Sequence, residues 1–150
     1  MMKEGDLPYW DQSAFQDAIK SESDVVIIQL GTNDAKTYQW DEEAFARDYY
    51  DMLNVFSGSK VYVSIPPPLY EDGVYSMDQQ VINERFPELI REIAANSSVV
   101  TGIVDIFTVM GGADLANYEL FCDLQSCDKC HPTDLGYARM ATVMYKAVFM

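Results

Sequence analysis

Two short stretches carry residue types at spacings that suit acyl-transfer chemistry. The first is Gly31-Thr32-Asn33-Asp34; the second, much later in the chain, is Asp128-Lys129-Cys130-His131-Pro132. An asparagine in a turn can aim its side-chain amide at an oxygen that gains negative charge as an acyl group is transferred, and Gly31 keeps the backbone close and unencumbered. Asp128 and His131 are three residues apart. Within one turn that spacing lets a carboxylate reach an imidazole, fix its tautomer and stabilise its cation, the role of the acid in a Ser-His-Asp triad. His131 is also the only histidine in the chain, so a general base of that type has to be this residue. Each stretch has a plainer reading: a Gly-x-Asn-Asp turn is often an Asx-stabilised strand exit, and Asp-x-x-His-Pro is often helix capping beside an exposed histidine. Each signal is weak singly; occurring together, in this order, they point to one site.

These residues need a scaffold, and the apolar pattern supplies one. Residues 25–30, Val-Val-Ile-Ile-Gln-Leu, are nearly all apolar and β-branched, which suits a strand covered on both faces. Gly31 ends it. In open α/β sheets ligands gather outside the carboxyl ends of the strands, so Gly31, Thr32, Asn33 and Asp34 stand where a substrate would be met. A second strand is expected over 60–65, stopped by Pro66, Pro67 and Pro68, which cannot continue a ladder. A third falls within 99–107, centred on 102–106. Helical spacing marks a short amphipathic helix ending at Lys20, with Ser13 as its cap, and another over 42–56 with acidic residues at its positive end and Gly58 closing it. A longer helix over 77–96 is interrupted by Pro87. The final helix starts at Thr133 or Asp134 and is expected to turn Leu135, Ala138, Ala141, Met144, Tyr145 and Val148 to the core, flanked by Tyr137 and Met140. Alternating strands and helices mean parallel strands with helical crossovers, hence a three-layer α/β/α fold. No repeat or linker divides residues 1–150, which read as one domain.

Composition narrows the function. About half of the 150 residues are hydrophobic (49%), enough for a real core, and the formal charge is -14. Such acidity repels phosphate backbones and anionic lipid, so neither nucleic acid nor membrane is an expected partner. No apolar run is long enough to span a bilayer, and the first residues lack a signal-peptide pattern, which leaves localisation open. Cys122, Cys127 and Cys130 cluster in one segment. A closed zinc site would want a fourth ligand and a second knuckle, so no metal is expected. A disulfide from Cys122 to one of the other two in an oxidising compartment, or three reduced thiols, both remain open.

With its Gly31-Thr32-Asn33-Asp34 and Asp128-x-x-His131-Pro132 blocks, the chain resembles the SGNH hydrolases, the GDSL-like lipases and esterases. The flanks agree: residues 25–34, the Ile65-Pro66-Pro67-Pro68 strand exit and Gly136-Tyr137 are similar to the branch of carbohydrate O-acetylesterases. The resemblance implies a flavodoxin-like parallel sheet, Asn33 as an oxyanion donor, Asp128 and His131 as the catalytic acid and base, and an ester or acetylated carbohydrate as substrate. It implies no cofactor. Tyr9, Trp10 and Trp40 fall near the expected mouth, where Trp10 would stack on a sugar or pack a lid.

The same resemblance exposes a departure. The family's Gly-Asp-Ser block, which supplies the nucleophile, and a second block with an oxyanion glycine precede the Gly-x-Asn-Asp turn. Here Gly5-Asp6 is followed by Leu7. Ser13, Ser64 and Ser126 lack the strand-to-helix elbow that presents a nucleophile. The expectation is therefore a chain truncated at its amino terminus and inactive alone, with residues 25–30 as an exposed strand edge open to self-association. A non-catalytic carbohydrate-binding or interaction module is the alternative.

Overall fold

The structure, a computed structural model, describes residues 1–115, 117–122 and 127–150. Three strands, β1 (Val25–Ile28), β2 (Lys60–Ile65) and β3 (Val100–Asp105), form a wholly parallel sheet in the order β1-β2-β3. Because the chain steps across the sheet in one direction, right-handed crossovers place both connecting helices on the same face. Those are α2 (Glu42–Val55) and α3 (Phe86–Asn96), joined there by α1 (Ser13–Lys20). The opposite face receives a short α4 (Ile106–Val109) and the long carboxyl-terminal α5 (Asp134–Phe149). Among the described residues no helix is long and apolar enough to cross a membrane.

Strand alternation divides the core in two. Val61, Val63 and Ile65 of β2 join Phe45, Tyr49, Met52 and Leu53 of α2 and Phe86, Ile90 and Ile93 of α3 in a large cluster. Val104 of β3 joins Ile106, Met110, Leu120, Phe121 and Met140 in a smaller one, with Ile27 and Tyr62 on its margin. Burying that much apolar surface, at roughly 25 cal/mol per Å², is what offsets the ordering of the chain.

Several elements differ from the sequence reading, each for a physical reason. β1 stops at Ile28, and three of its four residues are only partly buried, because among the described residues it is an edge strand with a neighbour on one side alone. Helix α1 begins at Ser13 itself, so this serine does not cap it. The long helix does divide near Pro87. A wide π-turn over Val81–Arg85 leads into α3, the Phe86 N–H donating to the Val81 carbonyl five residues back, which places the donor-less proline in a first turn where it is tolerated. In α5 the buried face is Gly136 and Met140, with Val143, Met144 and Ala147 packed at its edge. Leu135 and Tyr145, expected inside, are 55% and 60% exposed.

Candidate active site

The carboxyl ends of β1 and β2 open into a cleft of about 560 Å³ whose lining includes Gly31, Thr32, Asn33, Asp34, Tyr75, Cys130 and His131. Two stretches far apart in sequence thus share one cavity. On the β1 side, Gly31 has φ +128°, and a Cβ there would meet the Phe45 ring at 3.0 Å. Only glycine lets the backbone reverse this tightly against the aromatic layer. A turn over Thr32–Ala35 follows, closed by the Asp34 N–H on the Gly31 carbonyl at 2.8 Å. Asn33 is exposed in the cleft while its own carbonyl accepts from Gln39 Nε2 at 2.7 Å. Asp34 does something different: it is buried, and its two oxygens accept from the backbone nitrogens of Met1 and Met2 at 2.8 and 2.7 Å. Its carboxylate ties residues 1–2 to the turn at the wall of the cleft.

On the other side, Asp128 organises a compact turn. Its Oδ1 accepts the backbone N–H groups of Cys130 (3.0 Å) and His131 (2.7 Å), and its Oδ2 lies 2.5 Å from His131 Nδ1. Partial burial pushes the Asp128 carboxyl up, but the His131 ring, those two N–H groups and the Tyr75 hydroxyl outweigh it and hold the group well below the usual carboxylate range. An ionised carboxylate can only accept, so Nδ1 carries a proton, and in the neutral ring the lone pair is then on Nε2. The His131 side chain is 65% exposed, free to meet a substrate.

Neighbouring elements hold this turn in place. The Tyr70 N–H, just past the proline exit of β2, donates to the Lys129 carbonyl at 3.0 Å, and Lys129 Nζ pairs with Glu71. Asn83 clamps Leu69 through both its amide atoms. Behind His131, Thr133 caps α5 by accepting from the Gly136 N–H, and its own N–H donates to the Leu120 carbonyl at 2.8 Å. A Cβ on Gly136 would lie 2.4 Å from that carbonyl oxygen and 2.8 Å from Pro132 Cβ, so α5 starts in direct backbone contact with the 118–122 segment.

The remaining candidates fall outside these roles. Trp10 donates from Nε1 to the Met1 carbonyl at 2.6 Å and packs edge-on against Phe15; Trp40 packs on Phe45 and Phe86. Neither indole lines the cleft, whereas Tyr9 does. Ser64 is fully buried within β2, Ser13 sits on the exposed start of α1, and Ser126 lies outside the described residues. Among the described residues no serine lines the cleft. Cys122 is disulfide-bonded to Cys127, leaving Cys130 free. Burial, with help from the Asp128 charge, pushes the Cys130 thiol up to about 11, so next to His131 it stays protonated and a poor nucleophile. Among the described residues there is no cluster of three or more histidine, cysteine or carboxylate groups arranged to hold a metal. Sequence reasoning missed Tyr75 and Asn83, whose partners are distant in the chain and leave no local pattern.

The sequence profile of the GDSL-like lipase/acylhydrolase family matches residues 4–139. The chain belongs to this family. Its fold is the α/β fold of the SGNH hydrolases. An acetylxylan esterase of Xylanibacter ruminicola is similar to this family member, 25% identical over 170 residues, an alignment that takes in 99% of the present chain and 33% of the relative. The crystal structure of a carbohydrate esterase family 3 protein from Talaromyces cellulolyticus superimposes with a TM-score of 0.57 at 20% identity, over 85% of this chain and 57% of that one. This SGNH chain therefore spans about a third of the curated relative and little more than half of the structural neighbour.

Proposed function

We propose that the chain carries the acid, base and oxyanion-binding parts of an esterase that removes acetyl groups from carbohydrate. The observation behind this reading is the Asp128–His131 hydrogen bond opening into the cleft that also holds Asn33. In the reaction, His131 Nε2 takes a proton from an attacking serine hydroxyl and returns it to the leaving sugar oxygen. Asp128 holds the ring and balances the imidazolium, and the Asn33 amide donates to the carbonyl oxygen as it becomes negative. Water, activated by the same imidazole, then releases acetate. An acetylated sugar is the preferred substrate because both similar proteins are carbohydrate esterases by name. With no serine lining the cleft among the described residues, the chain alone is expected to turn over esters weakly or not at all.

His131, as the only histidine, is its own reporter. Titrating acetylated xylobiose into the 15N-labelled chain should shift the His131 imidazole and Asn33 side-chain amide signals, while deacetylated xylobiose should not. Absence of any shift at millimolar acetylated sugar would overturn the proposal. Acetate release that survives Ser64→Ala but is lost in His131→Ala would instead locate a nucleophile inside this chain.

A further inference from the structure

The turn that carries Asp128 and His131 has a partner from an unexpected part of the chain. Tyr75, in the loop before the π-turn, donates from its hydroxyl to Asp128 Oδ2 at 3.1 Å, the oxygen that also receives the imidazole. Its ring meets the His131 ring edge-on, centroids 5.7 Å apart and planes at 68°. The carboxylate is consequently held at both oxygens, by two backbone N–H groups at Oδ1 and by two side chains at Oδ2.

The backbone that delivers Tyr75 is unusual. Tyr75 and Ser76 have φ of 52° and 64°, consecutive left-handed positions at residues other than glycine, a combination that persists only where the surroundings impose it. Here they do. Within the loop, Ser76 N–H donates to the Gly73 carbonyl, Met77 N–H to Val74, and Gly73 N–H to Met77. The loop is fastened in turn to the segment that follows the Asn33 turn: Thr37 N–H donates to the Ser76 carbonyl, Asp78 N–H to Ala35, and Lys36 bridges to Met77. Tyr75 is therefore anchored to one half of the cleft and bonded to the other.

We propose that Tyr75 is a positioning residue for the acid–base pair, locking the Asp128 carboxylate so that His131 keeps one tautomer and one ring orientation. The proposal rests on the reading of Asp128 and His131 given above. Its chemistry is that of an outer hydrogen bond on the orienting acid: the phenol shares the negative charge of Oδ2 and stops the carboxylate from pivoting out of the imidazole plane. The hydrogen bond to Asp128, and after it the Asp128 charge, raise the Tyr75 hydroxyl above its ordinary value, which favours the protonated, donating form.

Long-range 1H–15N spectra of the single histidine test this. The wild-type chain should show one Nδ1–H tautomer with a slowly exchanging proton; Asp128→Asn and Tyr75→Phe should each lose that signal to a mixed, fast-exchanging population. Loss in Asp128→Asn but not in Tyr75→Phe would overturn the role of Tyr75 and leave the acid–base pair standing. No loss in Asp128→Asn would overturn the pair, and the proposal with it. A second measurement does not depend on how well Tyr75→Phe folds. With 3-fluorotyrosine at position 75, the 19F resonance should move when Asp128→Asn is introduced, and a resonance that stays put refutes the hydrogen bond.

Discussion

Gly136→Ala puts the seating of the His131 turn to a quantitative test. The added Cβ would sit 2.4 Å from the Leu120 carbonyl oxygen, 2.8 Å from Pro132 Cβ and 3.1 Å from Met110 Cε. Comfortable contacts between heavy atoms lie near 3.5 Å, so the overlap with rigid backbone is on the order of 1 Å. Overpacking of this kind costs up to about 3 kcal/mol, and replacing glycine by alanine within a helix returns about 1 kcal/mol. The net is a destabilisation of roughly 2 kcal/mol, which for a domain of this size lowers Tm by about 4–8 °C. Gly58→Ala is the control, since nothing lies within 4 Å of its added methyl; it should leave Tm unchanged or raise it slightly. Thermal unfolding followed by circular dichroism reads both. If Gly136→Ala melts within about 1 °C of the parent, α5 does not rest on the Leu120 carbonyl and the account of how His131 is held fails.

Two further outcomes follow from the same geometry. With the Cys122–Cys127 bridge intact, the native chain should titrate one thiol with iodoacetamide. Its alkylation rate should climb through pH 11 instead of 9, following the raised Cys130. Because folding favours the protonated thiol, the stability this group contributes is present below pH 9 and is lost as pH rises from 9 toward 11; alkylation already maximal at pH 9 would contradict the environment described. Among the described residues no strand pairs with the outer edge of β1, a position where a second chain can add a strand, so sedimentation should show mass increasing with protein concentration, and a monomer at every concentration would contradict the expected self-association.

How far the sequence alone could reach depended on whether a signal was local. Residues 60–65 alternate and end at three prolines, and β2 occupies that span. Asp128 and His131 announce their contact by spacing within one turn, and the hydrogen bond is there. The phase of α5 was less legible: apolar residues occur around much of the helix, and what selects the buried face is Gly136, whose missing side chain admits the Leu120 carbonyl. Hydropathy assigns glycine no such role. Asp34 reads as a ligand group from its place beside Asn33, but its charge is taken up by the backbone of residues 1–2. Tyr75 left no trace because its partner lies 53 residues away.

The division of the interior has a consequence for how the molecule would wear out. The Asn33 turn leans on the large aromatic assembly beneath Gly31, whereas the 118–122 segment behind His131 belongs to the smaller group around Leu120 and Met140, with Cys130 alone of the His131 turn touching the larger one. Warming should slacken the lesser support first, drawing imidazole and amide out of alignment while most of the sheet remains intact. Heating would then cost the cleft its geometry before the sheet collapses, and bracing the 118–122 segment against α5 would preserve that geometry better than adding bulk to the larger interior.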